Sequence, residues 1–247
     1  PAEKNTNHIK LGVIVGVEQQ VAEVDKKIFL NKYSMDGELV TFNDYVLPNE
    51  ALSKGDIDLN AFQHKPYLEQ QIKDRGYKLV SVGNSFVYPI AGYSKKIKSL
   101  EELQPGSQVA LPNDPTNLGR SLLLLQKVGL IKLKDGVGLL PTVLDVVENP
   151  KNLKLVELEA PQLPRSLDDQ QIALAIINTT YASQIGLTPA KDGLFVEDKE
   201  SPYVNLIVAR EDNKDAENVK KFVQAYQSDE VYDAANKAFN GGAVKGW

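Results

Sequence analysis

The chain has no cysteine, and only two of its 247 residues are histidine. Without cysteine there are no disulfide staples and no thiolate chemistry, an absence that says nothing decisive about compartment. With His8 in a polar lead-in, a multi-histidine metal site or a serine triad would need His64 alone. No apolar run approaches the roughly 20 residues that span a bilayer, and no signal-peptide pattern is present. Lys and Arg are scattered through a chain of net charge −5, so there is no basic patch for nucleic acid or an anionic membrane surface. The motifs of common enzymes are missing as well: no Gly-x-Ser-x-Gly elbow, no His-Glu-x-x-His, no Walker loop, and Gly136-Val137-Gly138 lacks the third glycine of a dinucleotide turn. Neither a cofactor nor a metal is expected. The remaining enzymatic alternative is carboxylate chemistry with Asp44, Glu50 or Asp114 as general base. Asn178-Thr179-Thr180 matches a glycosylation sequon and reads as polarity at a strand end.

With 42% hydrophobic residues, the chain can bury one large core or two ordinary ones. After the lead-in 1–8, read as a tether, Ile9 to Gly16 is apolar enough for a buried parallel strand, with Gly12 and Gly16 allowing close backbone approach. Val17, Val21, Val24, Ile28 and Phe29 then recur at helical steps and predict an amphipathic helix ending near Lys32. The alternation continues with strand 38–42, helix 48–53, strand 57–59, helix 65–75 and strand 77–83, which argues for a parallel α/β sheet. The run Phe86 to Tyr93, holding a Pro and a Gly, reads as a crossover. Beyond it come a short helix at 100–103, a strand at 108–111, a helix from Pro115 to Gly129, and strands 153–158 and 172–178. Tyr203 to Ala209 reads as the return crossover, and helices 216–226 and 230–239 close the chain. The expected architecture is two α/β lobes joined by two crossover strands, with 9–90 plus 204–247 in lobe 1 and 91–203 in lobe 2.

Three groups of residues carry recognition chemistry. In Pro112 to Ser121, a strand leads into a helix that Asp114 can cap, and the first-turn N–H groups with the helix dipole behind them make an anion seat. Arg120, about one and a half turns in, can bind a carboxylate with both arms of its fork. An ordinary capped helix with a surface arginine fits the same residues equally well. A ligand-facing arginine should leave the stability of the empty protein nearly unchanged when truncated. The second group is aromatic: Phe42 and Tyr45, then Phe62, His64 and Tyr67, then Phe86 and Tyr88, all beyond the carboxyl ends of predicted strands, where α/β sheets hold ligands. Core packing is the better reading for Phe42. Such faces can enclose a thioether or an aliphatic chain. The third group is two amides in apolar runs, Asn178 and Asn205, which need a partner in the backbone or in a ligand ammonium.

The runs Phe42 to Leu52, Gly55 to His64 and Pro112 to Arg120 resemble the methionine-binding lipoproteins of the bacterial methionine ABC importer, the NlpA/MetQ family, and the likeness extends from about Ile9 to Trp247. The resemblance implies a two-lobed periplasmic binding protein fold of type II-like topology, with parallel or mixed sheets and L-methionine, in some members D-methionine, in an interlobe cleft. It implies delivery to a permease and ATPase, a periplasmic monomer, and anchoring to the inner membrane through a lipidated cysteine that this sequence does not contain. Carried over by position, Tyr45, Phe62, His64, Tyr67, Phe86 and Tyr88 surround the ligand side chain. Arg120 takes the carboxylate beside Asn117, and Asn178 and Asn205 address the ammonium and remaining polar atoms. Asp25 on the apolar stripe, Gly37 opening a strand and Leu59 beside the pocket motif depart from the family's usual pattern. Another apolar amino acid or a short dipeptide is the alternative ligand.

Overall fold

The computed structural model describes residues 6–241 and 243–247. Contacts divide the chain into two compact units, one holding the chain up to Tyr88 and again from Glu200, the other Pro89–Lys199. The first begins with β1 (His8–Ile14), α1 (Val17–Tyr33), β2 (Asp36–Phe42), α2 (Leu47–Lys54), β3 (Leu59–Asn60), α3 (Lys65–Arg75) and β4 (Leu79–Val87). The second contains β5 (Ala91–Tyr93), β6 (Gln108–Pro112), α4 (Pro115–Lys127), β7 (Lys132–Leu133), β8 (Val146–Glu148) and β9 (Lys154–Leu158). It continues with α5 (Leu163–Ser166), β10 (Ile172–Ile177), α6 (Thr179–Gln184), α7 (Pro189–Asp192) and β11 (Phe195–Val196). Back in the first unit lie β12 (Val204–Arg210), α8 (Glu217–Tyr226), α9 (Asp229–Ala238) and β13 (Val244–Lys245).

Each unit is built on a mixed sheet, in the order β13-β4-β12-β3-β1-β2 in the first and β11-β5-β10-β6-β9 in the second. β1 runs parallel to β2 and β3, and β6 runs parallel to β9 and β10, as alternating strands and helices require. β4, β12 and β13 are antiparallel, and so is β5 to β10. The β1 run packs Leu11 and Val13 against Val21 and Phe29 of α1 and against Phe222 and Tyr226 of α8. In the second unit Val109, Leu111, Leu174 and Ile176 meet Leu122 and Leu125 of α4. Gly12 is required by space: a Cβ there would stand 2.6 Å from Ile57 Cδ1 and 3.0 Å from Phe42 Cε2.

Several sequence expectations change. His8 is not in a tether but in β1, where its Nδ1 bonds Asp36 Oδ2 at 2.9 Å; residues 1–5 of the lead-in lie outside the described residues. The strand expected at 77–83 extends to Val87 and takes Phe86 out of the crossover. The run 203–209 is no crossover either. It forms β12, between β4 and β3 in the middle of the first sheet, because a run of six residues with four fully or nearly fully buried aliphatics is satisfied only by neighbours on both sides. The chain leaves the first unit at 88/89 and returns at 199/200, where the expectation was 90/91 and 203/204. Asp25, noted as a breach of the α1 stripe, is fully buried, neither carboxylate oxygen has a hydrogen-bond partner, and burial holds its pKa well above the ordinary value.

Candidate functional site

In the second unit the site grows from the end of β6. Asp114 adopts an extended conformation ahead of Pro115, and its side chain accepts the N–H of Asn117 at 3.2 Å, which caps α4. The same Oδ2 accepts Asn117 Nδ2 at 2.8 Å and Thr116 Oγ1 at 3.3 Å. Burial raises the Asp114 pKa and these bonds pull it partly back. The expected anion seat at this helix end is therefore largely filled from within: Pro115 has no N–H, Asn117 N–H goes to the Asp114 side chain, and Leu118 N–H goes to the Asp114 carbonyl.

Arg120 is buried, which removes the surface-arginine alternative. Its Nε donates to Glu197 Oε2 at 2.9 Å and its Nη2 to Glu197 Oε1 at 2.6 Å, a two-armed pair with side chains only 4% and 13% exposed. Close approach of α4 to the 139 loop is made possible by Gly119, since a Cβ there would run into the Leu139 carbonyl oxygen. Pairing of β6 with β10 brings Asn178 to Asn117, and Asn178 Nδ2 donates to Asn117 Oδ1 at 3.2 Å. Asn178 Oδ1 is buried and has no hydrogen-bond partner.

In the first unit Tyr45, Phe62 and Tyr67 form a triangle of rings with centroids 5.7–6.0 Å apart, and Tyr67 Oη donates to the Tyr45 carbonyl at 2.9 Å. His64 caps α3: Nδ1 accepts Tyr67 N–H at 3.1 Å, which places the proton of the neutral ring on Nε2. Its ring stands edge-on to Tyr67 and 5.0 Å from Tyr203, and its backbone bridges to Asn205. Asn205 Nδ2 in turn reaches Glu18 Oε1 at 3.3 Å. Phe86 and Tyr88 join a different aromatic group with Phe239, Tyr226 and Trp247, and Phe86 is fully buried in the core. Burial, with Tyr226 and Glu18 adding to it, pushes the Tyr88 phenol far above its ordinary pKa.

The structure thus groups Tyr45, Phe62, His64, Tyr67 and Asn205 in one unit and Asn117, Arg120 and Asn178 in the other; Phe86 and Tyr88 belong to the first unit, where Glu18, which Asn205 bonds, also acts on Tyr88. Sequence reasoning missed Glu18, Glu197 and Tyr203. It also missed the buried amide cluster Asn49, Asn60 and Gln63, which ties the start of α2 to the segment before α3 through bonds of 2.8–3.0 Å. Asn49, Asn60 and Gln63 sit in polar runs whose composition suits an exposed loop, and no periodic signal separates the two cases. The carboxylates considered as bases have structural partners: Asp44 Oδ1 accepts Val46 and Leu47 N–H, Glu50 faces Arg75, and Asp114 is the cap.

Two α/β units, the first made from both ends of the chain and the second from one inserted segment, each carrying buried polar and aromatic groups, define the class of two-lobed substrate-binding proteins. The chain belongs to the NlpA lipoprotein family, whose model matches residues 9–247. It is 93% identical to the D-methionine-binding lipoprotein MetQ of Yersinia pestis, over 100% of this chain and 91% of that protein. The crystal structure of the methionine binding protein MetQ matches with a TM-score of 0.97 and 88% identity, covering 98% of this chain and 99% of that one. A nutrient binding protein from Burkholderia cenocepacia bound to methionine matches at 0.93 and 49%, covering 97% and 100%.

Proposed function

We propose that this chain captures methionine, L- and also D-, and hands it to the permease and ATPase of an ABC importer, with no covalent step and no cofactor. The observation that carries the reading is the 93% identity, over the whole chain, to a relative named for D-methionine binding. The chemistry of the residues supports it. The buried Arg120 guanidinium beside Asn117 already holds one carboxylate, that of Glu197, and suits a ligand carboxylate that joins or displaces it; the acceptor on Asn178 suits an ammonium, and Asn205 can serve the remaining polar atoms. Tyr45, Phe62, His64 and Tyr67 offer ring faces to a thioether, with Tyr88 beside them in role and Phe86 as backing from the core. In this reading the full-length protein is a periplasmic monomer held to the inner membrane by an N-terminal lipid, which the lipoprotein names of its relatives support. The test is mass spectrometry of small molecules released on denaturing the purified protein, followed by calorimetry on the stripped and refolded chain. Methionine should bind orders of magnitude more tightly than glutamate or lysine, because burying an unpaired side-chain charge is costly. Comparable affinity for glutamate would end this reading.

A further inference from the structure

An amide side chain has a donor end and an acceptor end, and whatever holds one end decides which the other presents. Asn205 donates from Nδ2 to Glu18 Oε1. A carboxylate only accepts, so the nitrogen is held toward Glu18 and Oδ1 is turned away from it. The other unit repeats this logic with one more link. Asp114 Oδ2 draws in Asn117 Nδ2, so Asn117 turns Oδ1 toward Asn178, which must answer with its own Nδ2. Asn178 Oδ1 is left as the outward end, buried and without a partner. Asn178 is also the residue preceding α6, where an asparagine oxygen ordinarily caps the helix, yet its side chain makes no cap bond. In each unit one amide, Asn178 at 5% and Asn205 at 7% exposed, is therefore oriented by an internal carboxylate.

We propose that Glu18 and Asp114 are positioning residues that set the polarity of Asn205 and Asn178, so that each unit presents an amide carbonyl oxygen and favours ligands bearing an ammonium group. The inference rests on the amino-acid reading above and deepens it by saying which internal groups make that preference. Neither carboxylate touches ligand in this scheme. Each acts through the amide it holds.

The test compares methionine with 4-(methylthio)butanoate, which is methionine without its ammonium, by calorimetry on stripped protein; the readout is the ratio of the two affinities. Asp114→Ser keeps a capping oxygen but is too short to hold Asn117 Nδ2, and Glu18→Met keeps bulk without an acceptor. Both should lower the ratio by about tenfold or more, the size of one well-placed polar contact. Asp114→Asn and Glu18→Gln can reproduce every bond described, because the cap N–H and the Asn205 nitrogen each demand the oxygen end, and they should keep the ratio within about threefold of the parent. A purely structural role would weaken both ligands equally and leave the ratio unchanged in Asp114→Ser and Glu18→Met, which would overturn the proposal. If those two variants do not fold, the conservative pair decides: a ratio lost in Asp114→Asn and Glu18→Gln overturns it, a ratio kept supports it. Failure of the parent to bind methionine at all is a separate result and refutes the proposed function instead.

Discussion

Arg120→Ala should destabilise the empty protein, contrary to the expectation for an arginine that only faces ligand. The guanidinium bonds Glu197 through both Nε and Nη2, at 2.9 and 2.6 Å, and the two side chains are 4% and 13% exposed. Removing the arginine leaves a carboxylate in that surrounding with only the Ile90 N–H, at 3.5 Å, as a described polar neighbour. Losing one member of a buried pair costs about 3–5 kcal/mol, a large part of the 5–15 kcal/mol that holds a typical domain together. Taking away both charges is a different perturbation, since no unpaired ion remains, so Arg120→Met with Glu197→Leu should recover most of the loss. The assay is urea unfolding of ligand-stripped protein, with hydrogen exchange at the β6 and β10 amides to read the unit that holds the pair. Protection at Ala110 and Ala175 should fall by roughly two to four orders of magnitude in the single variant. A single variant within about 1 kcal/mol of the parent, or a double variant no more stable than the single, would refute the argument.

Asp25→Ala should stabilise the protein at neutral pH by about 1–3 kcal/mol, because it removes a buried carboxyl with no partner. The folded-state pKa of Asp25 lies above the unfolded value of 3.8, so its contribution is fully favourable below that pH and is lost as pH rises through the folded pKa; parent melting temperature should decline over that interval and the variant's should decline less. Gly119→Ala should cost about 1–3 kcal/mol in urea unfolding, since the new methyl meets the Leu139 carbonyl rather than a side chain that can swing aside, and an unchanged midpoint would contradict the packing described. His64→Ala should cost about 0.5–2 kcal/mol through loss of the α3 cap, and His64→Asn should restore most of it; equal losses in both would show that the cap is not what His64 contributes to stability.

Regular elements were legible because burial follows a period in them. The α1 stripe of Val17, Val21 and Phe29 could be read directly, and Asp25 stood out as a fault in it, which the structure confirms as a buried, unpartnered carboxyl. Strand direction was not legible, since an apolar run such as 204–210 has the same pattern whether it crosses between units or lies antiparallel between β4 and β3. At the site, Asp114 and Arg120 could be found because capping and helix spacing are local rules, whereas Asn117 came only from the family resemblance. Glu197 could not. It sits next to Asp198 after β11, in a segment with no period, and by sequence the two acids are equivalent. Tertiary structure separates them: Asp198 pairs with Lys127 where both side chains are more than half exposed, a contact worth little, whereas Glu197 is enclosed with Arg120. The charge that determines what happens when Arg120 is removed is therefore set by how β11 lies against β5, not by anything within reach of Glu197 along the chain.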